Sequence, residues 1–187
     1  MVPSDFGPFF AATAAVAGAL IGLLFVAISV APTRDEPAAR VQMDIRAGVA
    51  FSALVNTLAV SLFALIPGTR LGTTVAVVGL VSVSSCAALA IVLHREVAPG
   101  PGRRREVRLL GVQALVFVYE VVVGIQLARR AHDVGLVRTV CTLMIVLFLV
   151  GIARAWQLIG ARDAGLLSEV GRSVRSRGRD SRRTGAR

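Results

Sequence analysis

The sequence predicts an all-α integral membrane protein, a bundle of five transmembrane helices with its N-terminus outside and its C-terminus cytoplasmic. Three observations carry that prediction. Long stretches of the chain are almost free of charge, the charges gather in short segments between them, and the basic residues fall mostly on one side. Roughly 20 apolar residues span ~30 Å of hydrocarbon as a helix, and a bilayer core drives the backbone into such internally bonded elements. The chain is 55% hydrophobic and only 17% charged, where soluble domains carry roughly 25%.

The first helix is expected at about 9–31, because no charged residue occurs between Phe6 and Thr33. It reads as a retained anchor. The preceding residues carry Asp5 and no arginine, and the small residues Ser29 and Ala31 are followed by Pro32, a poor cleavage site. Ala14, Gly18 and Gly22 repeat every four residues, and Gly18 to Gly22 is a GxxxG. Small residues let helix backbones approach in lipid. The pattern marks a close contact, expected inside the bundle, with a contact between chains as the alternative.

The second helix is expected at 47–67, entered from a polar segment, 34–46, that is itself helical. Pro37 suits a first turn, and Asp35 and Glu36 suit the positive end of a helix dipole. Pro67-Gly68 marks a tight turn, so helix 3, at 71–93, forms an antiparallel hairpin with helix 2. The segment from His94 to Arg108 holds Pro99-Gly100-Pro101-Gly102 and is expected to be an irregular loop. Helix 4 follows at 107–128. Helix 5, at 134–158, has an uncharged centre from Thr139 to Ala153. Arg138 and Arg154 extend it by reaching to the interfaces, and Trp156 sits where an interfacial aromatic belongs.

All 21 basic residues are arginine, and the net charge is +10. With the N-terminus outside, the inner side takes Arg34, Arg40, Arg46, Arg95, Arg103, Arg104, Arg105, Arg108, Arg154 and the eight arginines of the tail. The outer side takes Arg70, Arg129, Arg130 and Arg138. The positive-inside rule selects this orientation, and a four-helix chain would violate it. Residues 1–158 are thus a five-helix transmembrane domain, and 159–187 a basic cytoplasmic tail. Its last part, Ser-, Gly- and Arg-rich, is expected to be disordered and to meet anionic lipid headgroups. Nucleic acid is not an expected partner, since no aromatic residue interleaves with these arginines.

Glu120 is the most informative residue, a carboxylate near the middle of helix 4. At that depth it costs at least ~2.5–3.5 kcal/mol on insertion scales and must face protein or water. Gln113, Phe117, Glu120 and Gly124 share one face at helical spacing. Arg138, about one turn away along the neighbouring helix, is the expected partner of Glu120. On helix 2, Asn56 lies four residues after Ser52 and beside Thr57, placed to bond across helices.

Little else suggests chemistry. Cys86 and Cys141 lie in apolar stretches without metal-ligand spacing and read as small buried hydrophobes. The serines Ser82, Ser84 and Ser85 have no histidine nearby, and there is neither a Gly-x-Ser-x-Gly nor a pair of aspartates. No cofactor, metal or catalytic residue is expected.

The segment Gly18 to Val30, a charged link, and Ser61-Leu-Phe-Ala-Leu-Ile-Pro-Gly68 resemble a group of small actinobacterial multi-pass membrane proteins. Some of these are labelled modulators of a membrane-bound AAA+ protease. The resemblance is confined to the chain before Arg70 and implies a bacterial inner (plasma) membrane protein. The expected function is non-enzymatic: an accessory or regulator of another membrane complex through helix contacts in the lipid bilayer, with a membrane protein or a homo-oligomer as the partner. The alternative is a small oligomeric channel or transporter subunit, with Glu120 and Gln113 in a proton or ion path.

Overall fold

Five apolar helices account for almost all of the described residues, and each is long enough to cross a membrane. The computed structural model describes residues 4–30, 37–130 and 133–156. A short 3-10 turn, Ser4–Phe6, leads into α1, Gly7–Ser29; then come α2, Pro37–Leu65, α3, Leu71–Glu96, and α4, Pro101–Arg129. The fifth, α5, is Val134–Trp156. The acidic pair Asp35 and Glu36, His132, Leu158 and the basic tail lie outside the described residues.

Local chemistry explains most of the boundaries. Pro67-Gly68 makes the α2–α3 turn, and Gly68 takes a φ of +80°, a region that costs a residue with a Cβ about 1–2 kcal/mol. The charged segment before helix 2 is helical from Pro37 onward, as its residues suggest. One expectation fails. The Pro-Gly-Pro-Gly segment does not keep the chain irregular to Arg108, because α4 already begins at Pro101. Gly100, fully extended, is the N-cap. The missing amide proton of a proline in the first turn has no helical partner to lose there. Arg103, Arg104, Arg105, Glu106 and Arg108 are therefore helical, and α4 is longer than 107–128.

The surface is inverted relative to a water-soluble protein. Leu115 is 68% exposed, and Leu23, Phe25, Leu80, Val81 and Leu149 are also open, while Asn56, Thr57, Ser61, Ser82, Glu106, Gln113, Glu120 and Arg154 are buried. Water would oppose such an arrangement. Hydrocarbon favours it, and the chain is an integral, multi-pass membrane protein.

The tightest contact joins α3 to α4, and glycine makes it possible. A Cβ built on Gly124 would lie 2.5 Å from the backbone nitrogen of Ala76, and one on Gly72 would fall onto the backbone of Ala128. A Cβ on Gly79 would meet Val121 Cγ2 at 2.9 Å. α5 closes the bundle. At one end Val137 and Met144 join a cluster with Phe10 of α1, Val60 of α2, Leu71 of α3 and Leu127 of α4. Towards the other end Phe148 and Ala155 pack on Leu24, Ala50 and Leu54. That second end carries Arg46, Arg95, the arginines that open α4, and Arg154, and is the arginine-rich end of the bundle.

Candidate functional site

The buried face of α4 is a run of Glu106, Leu110, Gln113, Phe117, Glu120, Gly124 and Leu127, in steps of four and three residues. This is the seam of a helix packed inside a left-handed bundle. Its unusual feature is that Glu106, Gln113 and Glu120 recur every seven residues, so one ladder of polar side chains climbs the inside of the bundle. From Glu106 to Glu120 it rises about 21 Å, at ~1.5 Å per residue.

The lowest rung lies at the arginine-rich end. Arg46 of α2 meets Glu106 Oε1 through both Nε and Nη2 at 2.7 Å, and Arg154 Nη1 of α5 meets Oε2 at 3.3 Å. Glu106 and Arg154 are almost completely buried, while Arg46 keeps partial exposure. Three helices are thus tied by charge-assisted bonds. In the middle rung Gln113 Nε2 donates to Val49 O at 3.0 Å and to Ser52 Oγ at 3.2 Å. In the top rung Asn56 Nδ2 donates to Glu120 Oε2 at 2.8 Å and to Ser82 Oγ at 3.0 Å. The Ser82 hydroxyl passes its own hydrogen to Val78 O at 3.0 Å.

Beyond the top rung the ladder ends at the apolar cluster of Val60, Leu71, Val123, Leu127 and Val140. Apolar clusters also separate the rungs, with Leu110 packed against Ile45, Val49 and Leu93 between the lowest and the middle rung and Phe117 against Cys86 and Leu147 between the middle and the top one. Two atoms in the ladder stand out. Asn56 Oδ1 and Gln113 Oε1 are buried without a hydrogen-bond donor among the described residues, each at a cost of ~1–3 kcal/mol.

The residues singled out from the sequence divide clearly. Glu120, Gln113 and Asn56 come together in the bundle interior, with Ser52 and Phe117 beside them. Arg138 does not join them. It is exposed on α5, and among the described residues the carboxylate of Glu120 is bonded by Asn56 and by no arginine. Arg138 follows Val137 of the end cluster and lies on the outer side of its helix, since α5 turns Val137, Val140, Cys141 and Met144 inward instead. Ala14 is buried, but Gly18 and Gly22 are exposed, and a Cβ on either would meet nothing within 4 Å. The GxxxG is therefore not a contact inside the bundle, contrary to expectation.

Sequence reasoning missed Glu106 and Arg154, which it left to a loop and an interface. The seven-residue repeat from Glu106 to Glu120 was the available signal. Cys86 and Cys141 are buried in separate apolar clusters. Comparison with family models, with curated proteins and with solved structures found no match.

Proposed function

We propose that the chain is a non-enzymatic membrane protein that acts as an accessory or regulator of another membrane complex through lateral helix contacts. One observation carries this reading. Ala11, Ala15, Gly18 and Gly22 form a stripe of small residues along the exposed side of α1, with open space in front of both glycines. In lipid, where burial of apolar surface drives nothing, such a stripe gains by letting a second helix come close. Much of the remaining outer surface is studded with leucine, valine and phenylalanine.

In this reading the protein lies in a bacterial inner membrane, as the resemblance before Arg70 implies. The arginine-rich end faces the cytoplasm by the positive-inside rule, and the basic tail meets anionic headgroups.

The test is a photo-activatable side chain at Ala15 in living cells, with the same probe at Leu115 as a control for random collision. An adduct with a different membrane protein is expected at Ala15 alone, and Gly18→Leu should remove it while leaving the chain folded. Equal adducts at the two positions would defeat the reading. An adduct with a second copy would replace the accessory by a homo-oligomer.

The polar ladder favours a second reading, a channel or transporter subunit that needs several copies to build a pore wall. It predicts proton or ion flux in proteoliposomes that is lost in Glu120→Gln. Absence of flux in the native chain removes it.

A further inference from the structure

We propose that the top rung of the ladder is a proton-binding site, in which one exchangeable proton sits on Glu120 and is shared with the amide carbonyl of Asn56. This inference is independent of the accessory reading.

The first ground is charge. Glu120 is 1% exposed and lies in the middle of a span, where an isolated carboxylate carries a heavy desolvation cost. Its hydrogen bond comes from a neutral amide. The charged and titratable groups of the surrounding helices are elsewhere. Arg46 and Arg154 are engaged with Glu106 two rungs down, and Arg138 is exposed. The thiols Cys86 and Cys141 sit in apolar clusters. α3 contributes Ser82 and the bare backbone of Gly79, whose built Cβ would stand 3.5 Å from Glu120 Oε2. Nothing among the described residues supplies the balancing positive charge, and a proton does so without requiring space.

The second ground is a count of donors. Asn56 Nδ2 has two hydrogens, and both are spent, one on Ser82 Oγ and one on Glu120 Oε2. The Ser82 hydrogen goes to Val78 O. Asn56 Oδ1 is left buried with no donor, although its own amide already touches the carboxyl group. Protonating Oε1 of Glu120 creates the one missing donor. An acid and a primary amide then meet through two antiparallel bonds, N–H to one carboxyl oxygen and O–H from the other to the amide carbonyl. One proton thus removes the charge and satisfies the orphan acceptor.

Infrared spectroscopy of the full chain in lipid nanodiscs tests this directly. At neutral pH a carbonyl stretch of a neutral carboxylic acid is expected, shifting in D2O and shifting again when glutamate carries 13C. The stretch should vanish in Glu120→Gln, which keeps the neutral shape of the acid. Isotope labelling of the native chain answers the question even if that variant fails to fold. A native spectrum without the 13C-sensitive acid stretch at neutral pH overturns the proposal, as does a stretch that persists in Glu120→Gln. A carboxylate signal that moves on adding sodium chloride but not choline chloride also overturns it, in favour of a metal cation.

Discussion

Gly124→Val is expected to destabilise the bundle by about 3 kcal/mol, the upper part of the usual range for overpacked cores. The Cβ alone would stand 2.5 Å from the backbone nitrogen of Ala76, and backbone, unlike the end of a long side chain, has no rotamer in which to retreat. α3 and α4 must separate along their whole contact. Val75, Val123 and Leu127 then lose partners in the cluster they share, and dispersion contacts in lipid are not replaced by any gain from hiding apolar surface. Gly18→Val is the matched control, because a Cβ at that position would meet nothing within 4 Å. Denaturation by SDS in mixed micelles, followed by helical circular dichroism, measures both. Similar midpoints for the two variants would mean that the α3–α4 contact is not glycine-dependent.

Glu106→Leu is expected to cost about 3 kcal/mol, the lower edge of what removing one partner from a buried ion pair typically costs. The loss is larger than that of one bond, since Arg46 and Arg154 both converge on this carboxylate. Without it two guanidinium groups face each other, and Arg154 remains 4% exposed. The damage comes from the stranded cation rather than from a missing attraction, and this gives a specific signature. The double variant Glu106→Leu with Arg154→Leu should recover much of the stability, because replacing a buried pair by apolar side chains is often nearly neutral. The same denaturation assay decides. A double variant no better than the single one would assign the loss to packing of Glu106 and not to charge.

The number of helices, the hairpin at Pro67-Gly68 and the helical approach to α2 were legible because the bilayer and the backbone impose them locally. So were Glu120, Gln113 and Asn56 as interior groups, since a carboxyl or primary amide cannot satisfy itself on its own helix as the outward-facing hydroxyls of Ser84 and Thr142 do. What failed depended on azimuth. Height along α5 placed Arg138 near Glu120, but one step of about 100° around the helix separates it from Val137, which faces the interior. The glycines show the same thing. Gly18 and Gly22 carry the recognisable motif and face open space among the described residues, whereas Gly72, Gly79 and Gly124 carry a less familiar pattern and form the closest approach. Glu106 was hidden by its arginine neighbours, because a charged cluster beside a span reads as surface.

The regular spacing of the three rungs makes α4 a notched rod. Sliding it along its axis by one turn, about 5.4 Å, would set Leu110 against the guanidinium groups of Arg46 and Arg154 and Phe117 against Ser52. Every polar partnership would break in the same instant. Axial displacement of α4 is therefore opposed at all three levels at once, and its register against α2 and α5 is fixed by polar pairing as well as by packing.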